Sequence, residues 1–216
     1  MKVGYLNANF PLGSTNVGPL VLAMKQAGVN GLTTGILTSS TFAIVDGLKQ
    51  EGVALRAAVP PTGYGGDLIQ GGSDARMEAQ GLYFSLAWEP VEMDTSATQK
   101  LQSALATYAG VHGDPTFAEY LGYLTVAAFE SALKGAGSNP TQGSLINAAL
   151  GITNFDSLGL TAGHTIGFEM SSRGNAYGAD NCLWFTRYEG NAFQLVQGAD
   201  PICGTIIQGV KVSASS

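Results

Sequence analysis

The chain carries the stretch MKQAGV at Met24–Val29 and repeats it 24 residues later as LKQEGV at Leu48–Val53. In each copy, a run of helix-forming residues ends at a glycine, and an apolar residue follows. This order is typical of a helix C-terminus, its glycine cap and the start of a buried strand. A spacing of 24 residues suits one αβ unit of a parallel sheet. The repeat therefore predicts consecutive αβ units, although convergent capping chemistry could also produce it.

Alternating strand-like and helix-like segments extend this pattern over the first 87 residues. Helices are predicted where a periodic apolar run ends at glycine, and strands where a short apolar run is bounded by glycine or proline. The predicted strands are 3–8, 31–36, 54–59 and 81–87, and the predicted helices are 16–27 and 40–51. The alternation predicts an α/β fold built on a parallel, Rossmann-like sheet.

Helical patterns replace this alternation after Trp88-Glu89-Pro90, and strands return in the tail. The predicted helices are 96–109, 115–134 and a third that runs from Asn139-Pro140 to Gly151. The predicted strands of the tail are 165–170, 182–188 and 192–196. The last two form a predicted β-hairpin with Gly190-Asn191 at its turn.

Composition and charge exclude several functions. The net charge is −6 and the pI is near 4.7, so no basic surface is available for nucleic acid or for an anionic membrane. No apolar run approaches the roughly 20 residues that span a bilayer. The first residues, Met1–Leu6, lack the apolar region and cleavage site of a signal peptide.

No catalytic or metal-binding motif is present in the sequence. His112 and His164 lie in glycine-rich contexts without a partner at metal-ligand spacing, so surface or loop histidines are the simpler interpretation. Glu89 and Glu92 flank a proline, which indicates a connecting segment more than an acid/base pair. We therefore expect no enzymatic activity, no metal and no cofactor.

Candidate ligand-binding residues follow the second and third predicted strands, since parallel sheets bind ligands beyond the carboxyl ends of their strands. Hydroxyls and N–H groups at the start of a helix suit a carboxylate or another small polar group, and a tyrosine supplies an aromatic wall with a polar tip. The residues at these positions are Thr38, Ser39 and Ser40 after one strand, and Pro61, Thr62, Gly63 and Tyr64 after the next. The alternative is purely structural: a serine that caps the helix and a tyrosine that packs a turn.

Cys182 and Cys203 form an even pair 21 residues apart. Two buried free thiols of a cytosolic protein are one interpretation. A disulfide in an oxidising compartment fits better, because few other interactions would hold the glycine- and proline-rich tail in place.

The segments from about Gly13 to Val196 together resemble the type I periplasmic-binding-protein family that serves branched-chain amino acid ABC transporters. The resemblance rests on Ala23–Asn30, on the βα units that follow, and on Phe117–Gly137 with its Gly122-Tyr123. The tail from Asn181-Cys182 to Cys203-Gly204 is similar to an actinobacterial branch, whose members would be anchored at the cell surface.

This resemblance implies a two-lobed protein that closes on a small ligand. Residues 1–87 resemble the ligand-binding second lobe, residues 91–166 the helical part of the first lobe, and residues 167–216 a return to the second. The ligand wall implied by the family comprises Leu37, Thr38, Ser39, Pro61, Thr62 and Tyr64. Pro61 stands where the amino-acid binders carry an acidic residue, which argues against an α-amino acid ligand.

The implied function is extracytoplasmic capture of a small polar ligand (an amino acid, an amide or a related small acid) for an ABC permease in the membrane. The alternative is a ligand-sensing domain of a receptor with the same fold. The resemblance covers only the C-terminal portion of the family, so we expect an N-terminally truncated fold that binds ligand weakly. We also expect helices 96–109 and 115–134 either to expose apolar surface or to bury it against a second copy, by self-association, or against an upstream segment. The alternative is that these helices fold back on the sheet of residues 1–87 and form a compact single domain.

Overall fold

The computed structural model describes residues 2–169, 182–196 and 201–205. Its helices are α1 (Gly18–Gln26), α2 (Thr38–Gln50), α3 (Gly66–Gln70), α4 (Gly72–Glu78), α5 (Ser96–Ala109), α6 (Phe117–Gly135) and α7 (Gln142–Leu150). Its strands are β1 (Gly31–Thr33), β2 (Ala57–Val59), β3 (Tyr83–Leu86), β4 (Cys182–Glu189), β5 (Ala192–Leu195) and β6 (Ile202–Cys203). Two 3-10 turns cover Val91–Met93 and Ser157–Gly159.

The starts of the later helices are fixed by local side-chain caps. Thr95 caps α5 by accepting a hydrogen bond from the Thr98 N–H. At α6, the Thr116 hydroxyl accepts from the Glu119 N–H while the Glu119 carboxylate accepts from the Thr116 N–H, which is a complete capping box. These caps satisfy N–H groups that have no partner inside the helix, and they agree with the predicted helices 96–109 and 115–134.

The strands form two hydrogen-bonded sheets. β1 and β2 pair in parallel, with Leu32 opposite Ala58, so the α/β organisation with a parallel sheet is confirmed. β3 was expected to extend this parallel sheet, but it pairs antiparallel with β4, with Phe84 opposite Thr186. β4 continues into β5 and also pairs with β6.

Two predicted strands differ from the structure. Residues 3–8 form no strand; this segment is largely exposed, and no neighbouring strand supplies the hydrogen bonds of a ladder. Residues 165–169 contribute only an isolated bridge between Ile166 and Phe155, and Met170 lies outside the described residues. The predicted hairpin is confirmed, with Gly190 and Asn191 both at positive φ in its turn.

An aromatic cluster forms the centre of the core. The Phe193 ring of β5 lies 4.8 Å from Tyr64, 5.4 Å from Phe84 and 4.9 Å from Tyr188, measured between ring centroids. Tyr120 of α6 is the fifth member of this cluster, and its ring lies 6.3 Å from that of Tyr64. This cluster packs the loop after β2 against α6 and β5.

The predicted apolar surface is present on α6. Its exposed side chains include Phe117 (37%), Val126 (67%) and Phe129 (53%). α5 exposes less apolar surface than α6: its Leu101 is fully buried, and its exposed large apolar side chain is that of Tyr108. None of the helices in the described ranges combines the length and the apolar character needed to cross a bilayer.

A disulfide joins Cys182 of β4 to Cys203 of β6, which are opposite one another in the ladder.

Cys203→Ser should lower the free energy of unfolding by about 3 kcal/mol, because the bond closes a loop and restricts the unfolded chain. Urea unfolding with and without reductant measures this. Reductant should weaken the parent chain and leave a Cys182→Ser/Cys203→Ser variant unchanged; equal stability of all forms would contradict the prediction.

Candidate ligand-binding groove

The loops after β1 and β2 meet at the carboxyl edge of the parallel pair. The hydroxyl oxygens of Thr38 and Thr62 lie 2.6 Å apart and share a hydrogen bond. Only one hydroxyl of the pair donates to the other, so one O–H remains free to donate to a ligand. Leu37 and Ser39 flank this pair and are exposed.

These residues line a groove of about 830 Å³ between α2, α3, α4 and the start of α6. Much of the wall is hydrocarbon and aromatic. Its apolar residues are Leu37, Phe42, Ala43, Leu68, Ala75, Phe117 and Ala118. Its polar residues include Thr15, Thr38, Ser39, Thr62, Asp67, Asp74 and Glu78. An apolar cavity with a few placed polar groups is the usual form of a small-molecule site.

The start of α2 adds backbone donors to the polar end. The residue before the helix, Leu37, provides no side-chain cap, so the first N–H groups of α2 have no such partner. Ser40, in the same first turn, is fully buried and its hydroxyl has no hydrogen-bond partner. The helix dipole places partial positive charge at this end, which favours an anionic or hydrogen-bond-accepting group.

Two of the predicted wall residues lie elsewhere. Tyr64 is 4% exposed and does not line the groove, which corrects the expectation that its side chain is partly exposed. The reason is that its ring packs in the aromatic cluster and its hydroxyl donates to the Glu92 carboxylate at 2.5 Å. Pro61 is half-buried and also lies outside the groove lining.

Burial controls the ionisation of this pair. Removal from water is the main reason that the pKa of the Glu92 carboxyl is raised to about 7; the Tyr64 hydrogen bond acts in the opposite direction, and the nearby Asp114 contributes to the rise. Burial likewise raises the pKa of Tyr64 well above its usual value. The sequence pattern assigned Glu92 only to a connecting segment, since its partner lies 28 residues away and no local motif reveals the contact.

Close backbone packing fixes the Phe117 side of the groove. The Gly66 N–H donates to the Pro115 carbonyl at 3.1 Å, and the Phe117 N–H donates to the Asp67 carboxylate at 2.9 Å. Gly65 has φ +63° and ψ −131°, a conformation that essentially only glycine adopts. A Cβ at Gly65 would overlap the Pro115 carbonyl oxygen. Phe117 and Asp67 were not predicted from the sequence as parts of this site.

Gly65→Ala should therefore destabilise the fold by about 3 kcal/mol or more, because strain and a backbone clash act together. Gly28→Ala is the matched control: it has the same φ of +63° but open space around the new Cβ, so a loss of about 1 kcal/mol is expected. Urea unfolding of the two variants gives the comparison. Similar losses would mean that the contact with Pro115 does not constrain this loop.

The described residues contain no group of three His, Cys, Asp or Glu side chains arranged to hold a metal ion. His164 lies edge-on to Trp184, with 6.5 Å between ring centroids, and is not among the residues that line the groove. The groove offers hydroxyls, helix N–H groups and apolar walls, together with the carboxylates of Asp67, Asp74 and Glu78.

A parallel αβ unit with such a groove at its carboxyl edge defines an α/β ligand-binding protein. The family model described as "Periplasmic binding protein" matches residues 3–192. The chain therefore belongs to the periplasmic binding protein family, and it is similar to the substrate-binding proteins of branched-chain amino acid ABC transporters. This is a family of binding proteins and not of enzymes, as the sequence predicted. No curated protein matches the sequence.

Solved structures share the fold at low sequence identity. A fatty acid ABC transporter substrate-binding protein from Thermomonospora curvata has a TM-score of 0.67 and 19% identity over 89% of this chain and 48% of its own. A solute-binding protein from R. palustris in complex with benzoate has a TM-score of 0.63 and 11% sequence identity, over 94% of this chain and 52% of its own. A branched-chain amino acid ABC transporter protein from Thermus thermophilus with bound valine has a TM-score of 0.56 and 17% sequence identity, over 89% of this chain and 51% of its own. The chain spans about half the length of these structures.

Proposed function

We propose that this chain binds a small ligand outside the cytoplasm and serves an ABC importer with a permease partner in the membrane. The observation that carries the proposal is the groove itself: two bonded threonine hydroxyls and an uncapped helix start at one end, with apolar walls beyond. Family membership supports the class of function. The disulfide supports an oxidising, extracytoplasmic compartment.

The geometry favours a ligand with an apolar body and one carboxylate. The α2 start and the Thr38–Thr62 pair suit the carboxylate, while Leu37, Phe42 and Phe117 suit a hydrocarbon or aromatic body. Structural neighbours that bind benzoate or valine, or serve fatty acids, share this chemistry in their ligands. The loop of residues 60–65 carries no carboxylate, but Asp67, Asp74 and Glu78 line the groove and suit an ammonium group, so valine stays in the ligand class beside the simple apolar acids.

The ligand class can be tested by NMR titration of the chain with benzoate, octanoate and valine at millimolar concentrations. Benzoate or octanoate should shift the amide resonances of Thr38, Ser39 and Thr62, because these N–H groups lie at the polar end of the groove. Benzyl alcohol, which keeps the ring and loses the carboxylate, is the matched ligand control and should bind more weakly. Shifts elsewhere, or equal binding of benzyl alcohol, would contradict the assignment.

Thr62→Val should weaken binding of the preferred acid by a factor of roughly 10 to 150, since a hydrogen bond to a charged group contributes about 1.5–3 kcal/mol. The substitution keeps the shape of the side chain and removes its hydroxyl. Thr107→Val is the control, because Thr107 is exposed at the end of α5, away from the groove. Titration of both variants gives the two dissociation constants; an unchanged constant for Thr62→Val would remove Thr62 from the site.

A further inference from the structure

Phe117 presents aromatic surface to the groove. It is the first residue of α6, it lines the groove, and its side chain is partly exposed. Phe42, which also lines the groove, is almost fully buried. The Phe117 N–H donates to the Asp67 carboxylate at 2.9 Å, which fixes the main chain at this position. A molecule in the groove therefore meets aromatic surface mainly at Phe117.

The ring of Phe117 packs on that of Trp88, with 5.3 Å between ring centroids and 43° between ring planes. Trp88 is 7% exposed and is not among the residues that line the groove, so it supports Phe117 from within the protein. Trp88 in turn stacks on Tyr120, with 5.4 Å between centroids and 24° between planes. Tyr120 is fully buried and belongs to the aromatic cluster. Trp88 thus connects the groove wall to the core.

Hydrogen bonds hold the segment that carries Trp88. The Tyr120 hydroxyl donates to the carbonyl of the next residue, Glu89, at 3.2 Å. The Glu89 N–H donates to the Leu160 carbonyl at 2.7 Å. Tyr120 therefore contacts the Trp88 ring with its own ring and binds the adjacent main chain with its hydroxyl. Because the indole is held in this way, the ring of Phe117 that packs on it is restricted as well.

A restricted aromatic wall favours a ligand that is itself aromatic. Two rings attract each other in offset or edge-to-face arrangements, which strengthens their contact by a factor of roughly 2 to 12 beyond the effect of buried area. A side chain that is already ordered loses little conformational freedom when a ligand packs on it. The support from Trp88 therefore increases the advantage of a planar ring over a saturated one.

We propose that Trp88 is a positioning residue that holds Phe117 as a wall for a planar ring, so that the groove prefers an aromatic carboxylate to its saturated analogue. This inference rests on the proposed function, because it concerns the body of a ligand whose carboxylate binds at the start of α2. Asp74 and Glu78 of α4 also line the groove. The preference concerns the ring, and it holds whether or not the ligand carries an ammonium group for these carboxylates.

Two pairs of ligands that differ only in the saturation of the ring test this preference: benzoate with cyclohexanecarboxylate, and phenylalanine with cyclohexylalanine. NMR titration of the chain should give the aromatic member the lower dissociation constant, by roughly 2- to 12-fold, in each pair that binds. Equal constants within a pair overturn this inference and leave the proposed function standing. If all four molecules fail to bind at millimolar concentrations, the proposed function fails and the inference fails with it.

Phe117→Leu should bring the ratio of the two dissociation constants close to 1, because an aliphatic wall does not distinguish the two rings. Phe129→Leu is the matched control, since it makes the same substitution on the same helix at an exposed position outside the groove lining. It should leave the ratio unchanged. A ratio that survives in Phe117→Leu removes Phe117 as the source of the preference.

Trp88→Leu tests the positioning role, and it should also lower the ratio toward 1 although Phe117 is retained. Trp88→Phe keeps a ring beside Phe117 and should restore part of the preference. A purely structural role would weaken both members of a pair equally, and an unchanged ratio in Trp88→Leu therefore overturns the proposal. If Trp88→Leu does not fold, three-bond couplings in the ligand-free parent chain should show a single χ1 rotamer of Phe117; averaging over rotamers overturns the proposal.

Discussion

The packing of one backbone segment directly on another is the constraint on which the groove depends. Residues 63–66 lie against residues 114–117 so closely that a side chain at Gly65 would occupy the space of the Pro115 carbonyl. Because the contact is made by main chain, it fixes the start of α6, and with it Phe117, relative to the carboxyl edge of the parallel sheet. Asp67 strengthens the same junction by accepting from the Phe117 N–H.

The sequence predicted best where the signals are local. α5 was predicted with its observed bounds from the helical spacing of Leu101, Leu105 and Tyr108, and in the structure a threonine cap and a closing glycine lie at its two ends. The repeat of residues 24–29 and 48–53 predicted αβ units, and β1 and β2 pair in parallel as such units require. The loops that follow these strands were the source of the candidate wall, and Leu37, Thr38, Ser39 and Thr62 do lie along the groove.

Features that depend on distant partners could not be predicted in this way. Phe84 pairs with Thr186, about a hundred positions along the chain, so nothing near β3 indicates an antiparallel partner. Tyr64 has the side chain of a ligand-wall residue and the position of one, but Phe193 and Glu92 hold it in the core. Phe117 reaches the groove only because the glycine loop brings α6 beside α3, a contact that periodicity along one helix does not contain.

The loop of residues 62–66 meets three different demands within five positions. Thr62 is exposed and presents its hydroxyl to the groove, Tyr64 turns into the aromatic cluster, and Gly65 and Gly66 allow the main chain to contact residues 114–115. A glycine between Thr62 and Tyr64, at φ +100°, permits this reversal of direction. The groove and the aromatic cluster therefore constrain the same short segment.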